Sequence, residues 1–284
     1  MSVRVFAPAK VNLTLQVGAP RADGLHPLKS AVMFADIGDW IEAARDDEFR
    51  LSVLGPFASG LDDGADNLVL RAARALAPER AASLRLEKNL PVASGIGGGS
   101  ADAAAALRAL NELWALRCSE EILSSVARGL GADVPVCLSG KNAWMSGAGE
   151  IVGPLHAPRF HAVLLNPGRP LATAAVYKKF DEMDLGRGFH DEGAPAWDTP
   201  DAALADIKSR GNDLEAPAAV LAPEIGAALR ELRSEERVLH AGLSGSGSTM
   251  FALMPTAEAA DGIARAYAAR NPRWWVQPCT LGCA

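Results

Sequence analysis

The sequence predicts an α+β fold, and three observations predict it. Short runs that alternate apolar and polar residues mark strands, and segments with apolar residues three and four apart mark helices. The two kinds do not alternate regularly, as they would around a parallel sheet. Two glycine-rich loops, Gly95 to Gly99 and Gly245 to Gly247, each open into ordered structure, so neither reads as a linker. Composition agrees: 284 residues with 49% hydrophobic and 22% charged exclude a disordered tail, a collagen-like polymer and a disulfide-stapled miniprotein. The length holds one large domain or two ordinary ones.

Val11, Leu13, Leu15 and Val17 alternate with Asn12, Thr14 and Gln16, which predicts a half-buried strand with Lys10 and Asn12 on one polar face. Arg21 to Gly24 is a turn, Ala31 to Phe34 and Asp39 to Ile41 read as two strands, and Asp62 to Asn67 is an acidic loop. Leu68, Val69, Ala72, Ala75 and Leu76 have helical spacing that Pro78 stops. Ser83 to Glu87 is a strand, Pro91 to Ser100 a glycine loop, and Ala103, Ala106, Leu107, Leu110, Leu113 and Trp114 mark a helix straight after it. Ser119 reads as the N-cap of a next helix whose buried stripe is Ile122, Leu123, Val126 and Leu130. Gly131 to Ser139 reads as a loop entering a strand, and short strands follow near Ala143 to Met145 and Glu150 to Val152. Pro154 to Pro158 marks the boundary between domains of residues 1–156 and 157–284. Beyond it come a strand at Ala162 to Leu165, a short helix at Thr173 to Phe180 and a long surface loop from Asp181 to Pro200. Helices at Asp201 to Ser209 and Pro223 to Ser234, a strand at Met250 to Met254 and a helix at Ala257 to Ala269 complete the chain.

Several function classes fall away at once. A net charge of −6 disfavours a protein that wraps duplex nucleic acid. No run approaches the roughly 18 apolar residues of a spanning helix, and the N-terminus has no signal-peptide core. Cys118, Cys137, Cys279 and Cys283 form no CxxC pair and keep no histidine pattern, so zinc is not expected and reduced cytosolic thiols are. Cys118 and Cys137 read as packing residues, with catalysis as the weaker alternative.

A loop cradles phosphate where side chains are absent and backbone N–H groups converge at a helix start. Gly97, Gly98 and Gly99 provide that, and Ser100 adds a hydroxyl. Asp102 is an odd neighbour for a phosphate, so its side chain should point away or face a metal. The segment is neither a Walker A loop nor a Rossmann fingerprint, and a tight turn with a glycine helix cap is the bland alternative. Read singly, Asp133 is a turn aspartate or a base, Lys10 a surface lysine or a phosphate partner, and His26 structural or a reader of a polar edge.

Three motifs in order, Pro8-Ala-Lys-Val-Asn-Leu13, Pro91 to Ala103 and Leu243 to Phe251, resemble those of the GHMP kinase superfamily. Arg21-Ala-Asp-Gly-Leu-His26, Leu130-Gly-Ala-Asp-Val-Pro135 and Gly211-Asn-Asp-Leu-Glu215 are similar to elements of its branch that acts on a CDP-linked methylerythritol. The resemblance spans nearly the whole chain. It implies a two-domain GHMP kinase fold, with an N-terminal domain like ribosomal protein S5 domain 2 and a ferredoxin-like C-terminal domain. It implies transfer of the γ-phosphate of ATP, with Mg²⁺, to the 2-hydroxyl of diphosphocytidyl methylerythritol, in non-mevalonate isoprenoid precursor biosynthesis. Asp133 is then the base and Lys10 its partner. Pro91, Val92, Ala93, Ser94, Gly95, Ile96, Gly97, Gly98, Gly99, Ser100 and Ala101 form the ATP loop. Asn12, Leu25, His26, Thr173, Tyr177 and Gly245 take the substrate, and no residue is assigned as a metal ligand. The expected partner is a small molecule, with no nucleic acid and no membrane, for a cytoplasmic monomer or weak homodimer.

Two departures stand out. Leu25 lies where the family often has a tyrosine that stacks on cytosine, which leaves stacking to Tyr177. Val92-Ala-Ser-Gly-Ile96 has fewer glycines than many relatives. Competing readings are a homoserine, mevalonate or galactose-type kinase, a nucleotide-binding regulator, and an RNA-binding protein. Arg21 to His26 argues against the first, joint presence of Lys10 and Asp133 against the second, and lack of a basic-aromatic patch against the third. The kinase reading requires Lys10, Asn12 and Asp133 to converge beside the Gly97–Ser100 helix start.

Overall fold

The computed structural model describes residues 2–61, 64–186 and 193–282. In chain order the elements are β1 (Ser2–Asn12), β2 (Gln16–Val17), β3 (Leu28–Arg45), β4 (Arg50–Leu54), α1 (Leu68–Leu76), β5 (Ala82–Glu87), α2 (Gly98–Leu113), α3 (Glu120–Leu130), α4 (Val134–Ser139), β6 (Ala143–Ser146) and β7 (Ile151–Pro154). They continue as β8 (Phe160–Asn166), α5 (Thr173–Glu182), α6 (Pro200–Arg210), α7 (Glu215–Leu221), α8 (Pro223–Ser234), β9 (His240–Leu243), β10 (Met250–Met254), α9 (Ala257–Arg270) and β11 (Trp275–Leu281). The expectations at Asp62 and Asp63, at residues 187–192 and at Cys283 lie outside the described residues.

The chain divides into two compact units. The first comprises Met1–Lys10, Ile37–Val92 and Gly97–Gly140, the second Val11–Asp36, Ala93–Ile96 and Lys141–Ala284.

In the first unit β4 runs parallel to β5, which pairs antiparallel with the second half of β3. Helix α2 packs against α1 and α4 through a run of buried alanines, Ala103 to Ala106, whose small size lets the helices approach closely. Caps set the helix starts: Asn67 accepts from the Val69 N–H (2.9 Å) and Ser119 from the Ile122 N–H (3.4 Å).

The second unit contains the sheet order β11-β8-β10-β9, with all three pairings antiparallel. Numbered within this unit, that is strand order 4-1-3-2 with helices between the first and second and between the third and fourth strands, the ferredoxin-like arrangement. Val163, Leu165, Phe180, Ile225, Ile263 and Tyr267 lie in its core. Thr256 caps α9 through the Ala259 N–H (3.2 Å) and Thr199 caps α6 through the Ala202 N–H (3.2 Å).

Several expectations change. The segment ahead of Ser139 is helix α4 and not a strand, because Pro135 at the helix start and two donated bonds from Arg108 to the Cys137 and Leu138 carbonyls favour a short helix. The two strands expected around Gly38 are one long β3. The strand expected at Val11 to Val17 is the end of β1 and the short β2, and residues 11–15 are buried without alternation. Lys10 and Asn12 are each 4% exposed, so their face is interior. On α3, Leu123 and Ala127 are buried and Ile122 is 52% exposed. The loop before α6 holds Trp197 fully buried, its indole N–H donating to Asp206 Oδ2 (3.0 Å). Strands β4, β9 and β11 and helix α7 lie outside the sequence expectations.

Candidate active site

Gly97 occupies the cap of α2 with φ 64°, a left-handed conformation that favours glycine. The first helical bond runs from the Ala101 N–H to the Gly97 carbonyl (2.8 Å), which leaves the N–H groups of Gly98, Gly99 and Ser100 with no acceptor in the helix. The three glycines serve three purposes. A Cβ at Gly97 would stand 3.1 Å from Lys10 Cβ and Cε, and one at Gly98 would stand 3.0 Å from Lys88 Nζ. A Cβ at Gly99 would meet nothing within 4 Å, so this glycine faces open space. That open, side-chain-free helix start fits the phosphates of ATP. Pro91, Ser94, Ile96 and Ala101 are buried and support the loop, while Val92 and Ser100 are half-buried and Ala93 is exposed. Ala93 takes φ 51°, a left-handed conformation that strains a residue with a Cβ.

Lys10, at the inner end of the first-unit part of β1, donates from Nζ to Asp133 Oδ2 at 2.9 Å. The lysine side chain is 5% exposed and the aspartate side chain 38%. Asp133 precedes α4 and makes no side-chain cap bond, and its carboxylate faces Lys10 and solvent. Lys10 thus touches both Asp133 and Gly97. The buried ammonium and the partly exposed carboxylate stand as an ion pair against the start of α2.

Arg108 of α2 holds this pair in register, a role that no spacing or motif signals. Its guanidinium donates to the Cys137 carbonyl (3.2 Å), the Leu138 carbonyl (3.1 Å) and the Phe6 carbonyl (2.9 Å). One side chain therefore ties α4, which Asp133 directly precedes, to β1, which carries Lys10. Cys137 is buried beneath them, and burial with the nearby Asp133 pushes its thiol up to about 12, so it remains a thiol.

Asp102 points away from the loop's open side. Lys88 Nζ donates to Asp102 Oδ2 (2.6 Å) and to Asp39 Oδ2 (2.5 Å), and all three side chains are buried. Asp39 Oδ1 also accepts from the N–H groups of Asn89 (2.6 Å) and Leu90 (2.8 Å), which fixes that carboxyl in place. Asp102 Oδ1 has no partner. Two buried carboxyls sharing one ammonium leave one negative charge in excess. Burial and neighbouring Asp39 raise Asp102 to about 8, against the pull of Lys88.

In the second unit Asn12 is held by two hydrogen bonds. Its N–H donates to Ser244 Oγ (3.1 Å), and its amide Nδ2 donates to Ser30 Oγ (2.7 Å), which in turn donates to the Thr14 carbonyl (2.6 Å). That chain fixes which end of the amide is nitrogen. Asn12 Oδ1 is left buried without a partner, an acceptor suited to a hydroxyl. Ser244 Oγ donates to the Gly95 carbonyl (2.9 Å), and a Cβ at Gly245 would lie 2.9 Å from that same carbonyl. A Cβ at Gly95 would lie 2.7 Å from the Gly247 carbonyl, so the two glycine loops meet backbone to backbone. Thr173 and Ser246 hydroxyls are 3.0 Å apart. Ser248 and Thr249 are turned inward, each accepting from Asn166 Nδ2 (3.2 and 2.9 Å).

The Gly211–Glu215 motif supports this unit. Asn212 Nδ2 donates to the Leu243 and Gly245 carbonyls (both 2.8 Å), and Asp213 Oδ2 accepts from the Val17 N–H (2.8 Å). His26 is held by Nδ1 against the Gly18 carbonyl (2.9 Å), its Nε2 stands 3.5 Å from Asp181 Oδ1, and its ring packs on Tyr177 (5.0 Å) and edge-on to Phe180 (5.8 Å). Phe180 was not anticipated, although its place one turn after Tyr177 is a signal that could have found it. Leu25 is 53% exposed.

Comparison with known proteins finds kinases. Models for the GHMP kinases N terminal domain and the GHMP kinases C terminal region match residues 67–141 and 199–273. A 4-diphosphocytidyl-2-C-methyl-D-erythritol kinase of Parvibaculum lavamentivorans is 49% identical, covering 97% of both chains. The chain belongs to the 4-diphosphocytidyl-2-C-methyl-D-erythritol kinase family. A kinase of the same name from Cereibacter sphaeroides is 47% identical over 97% of this chain and 98% of its own. A crystal structure of 4-(cytidine 5'-diphospho)-2C-methyl-D-erythritol kinase superposes with a TM-score of 0.78 at 32% identity, covering 99% of this chain and 100% of that one. Homoserine kinase from Cytophaga hutchinsonii shares the fold (TM-score 0.66, 20% identity, 98% and 94% covered). The GHMP kinase fold expected from the sequence is the one observed. Among the described residues no helix is long and apolar enough to cross a membrane, and no group of three or more His, Cys, Asp or Glu converges to hold a metal.

Proposed function

We propose that Asp133 and Lys10 carry out the phosphoryl transfer of this small-molecule kinase. The family's activity is ATP-dependent phosphorylation of the 2-hydroxyl of 4-diphosphocytidyl-2-C-methyl-D-erythritol, giving the 2-phosphate, in the non-mevalonate route to isoprenoid precursors. The single observation that carries the residue assignment is the 2.9 Å contact of a buried ammonium with a partly exposed carboxylate beside the α2 amino terminus.

The N–H groups of Gly98, Gly99 and Ser100 hold the ATP phosphates at the positive end of α2, supported by Pro91 to Gly97 and Ala101. Mg²⁺ would supply charge neutralisation at the phosphates when bound, beside the Gly98 to Ser100 N–H groups. Asp133 accepts the proton of the acceptor hydroxyl as that oxygen attacks, and Lys10 holds the carboxylate in place and meets negative charge on the moving phosphoryl group. Asn12 Oδ1 accepts from a substrate hydroxyl. His26, through Nε2, reads the cytosine amino edge, Tyr177 supplies the stacking face and Leu25 an apolar contact. Thr173 and Gly245 line the diphosphate side. Residues 1–156 and 157–284 are proposed as the ATP-binding and C-terminal domains, in a cytoplasmic monomer or weak homodimer with no nucleic-acid partner.

The test is direct. Purified protein is incubated with ATP, Mg²⁺ and the CDP-linked methylerythritol, and products are followed by phosphorus NMR. A new phosphomonoester resonance with equimolar ADP is expected. Absence of that resonance, with ATP hydrolysed or untouched, overturns the assignment.

A further inference from the structure

We propose that Lys88 is a positioning residue for the nucleotide phosphates, acting through the backbone of Gly98. This rests on the reading of Gly97–Ser100 as the phosphate loop and adds a part to it. Register explains how the residues meet. β3 pairs with β5 so that Trp40 lies opposite Glu87, the last residue of β5, and the residues next to these, Asp39 and Lys88, meet through their side chains. Asp39 receives two backbone N–H bonds from the segment after Lys88, which fixes that carboxylate and hence the ammonium. Asp102, on the second turn of α2, takes the other side of the ammonium.

The ammonium therefore bolts α2 to the β3–β5 pair directly behind the loop. Lys88 Nζ stands 3.0 Å from where a Gly98 Cβ would be, with Asp39 Oδ2 at 3.7 Å from the same point. The opposite face of the loop, at Gly99, is open. Moving Lys88 shifts the helix start and tilts the N–H groups that face outward. It touches no nucleotide atom itself. Hydrogen-bond strength falls steeply with misalignment, so small shifts of a preorganised nest cost affinity for phosphate and leave affinity for the nucleoside unchanged.

The experiment uses the full chain and two variants, Lys88→Met and Gly98→Ala. The alanine methyl presses on Lys88 from the loop side and points away from the open face, so it perturbs the same contact while keeping the charges. Dissociation constants for adenosine, ADP and ATP are measured by calorimetry, with KM for the CDP-linked substrate and Tm alongside. We expect the loss to grow with phosphate number: about twofold or less for adenosine and about tenfold or more for ATP, with KM for the other substrate within about twofold. Equal losses for adenosine and ATP show a general structural role and overturn the proposal, as does unchanged ATP affinity. If Lys88→Met does not fold, Gly98→Ala decides by the same pattern. Wild-type protein that binds ATP no tighter than adenosine sinks the phosphate-loop reading itself and the proposal with it. Wild-type preference for ATP with flat variants sinks only the proposal.

Discussion

Replacing Asp133 by Asn keeps the shape of the side chain and one acceptor for Lys10 but removes the base and its charge. Proton transfer to a placed base contributes about 10²–10⁴ in rate, or roughly 3–5.5 kcal/mol at the barrier. The structure also bounds the cost to folding. Lys10 is 5% exposed and keeps an amide oxygen as partner, while the aspartate side chain is 38% exposed and its pair is partly screened. About 1 kcal/mol of stability is the expected loss, too little to unfold the chain. The assay is a coupled ADP-release measurement with both KM values, checked by thermal melting. kcat should fall at least about a hundredfold with KM for ATP nearly unchanged, because Asp133 lies off the phosphate nest. Turnover within about tenfold of wild type, in a protein with an intact melt, refutes Asp133 as the base. Lys10→Met combined with Asp133→Asn should cost little more than the worse single change, since the two act as one unit.

Leu25→Tyr restores an aromatic beside His26, and KM for the CDP-linked substrate should stay level or fall; a rise of more than about tenfold would place the cytosine elsewhere. Ala93→Gly removes a left-handed alanine (φ 51°) and should stabilise the fold by about 0.5–1 kcal/mol in a urea titration, after the entropy of the added glycine is subtracted. Arg108→Met takes three bonds from carbonyls of β1 and α4, so kcat should fall more than KM for ATP rises, in a protein that melts earlier. Asp102 is raised from 3.8 to about 8, so the folded chain holds a proton that the unfolded chain releases. Its contribution is fully present below about 4 and is lost as pH rises through about 8. Asp102→Asn should flatten the fall of stability across that window, as read from melts at several pH values, and an unchanged slope assigns the fall to other groups.

What the residues disclosed follows from how local each signal is. The helices at Ser119, Pro223 and Thr256 carry caps or a starting proline within a few positions, and these were legible. The strand Met250–Met254 was legible from its bounded apolar run. Helix α4 was not, because Val134-Pro-Val reads as an extended run and its helical state is supported by Arg108, far away in sequence. Gly38 broke β3 on paper, yet it serves a close approach of the Ala7 carbonyl. Of the site, the glycine start of α2 was legible from side-chain-free positions, and Lys10 and Asp133 from motif position. Asp39, Lys88 and Asp102 form their cluster across 49 and 14 residues, and no spacing rule connects them. Arg108 looked like any solvent-facing residue on an alanine-rich helix.

The backbone contact of Gly95 with Gly245 and Gly247 has a consequence for how such enzymes change. Neither loop can acquire a side chain while the other keeps its path. Single-site libraries at these positions should return almost only inactive clones, and productive variants will be found where both loops are varied together. The two segments, 150 residues apart in the gene, are one unit of inheritance.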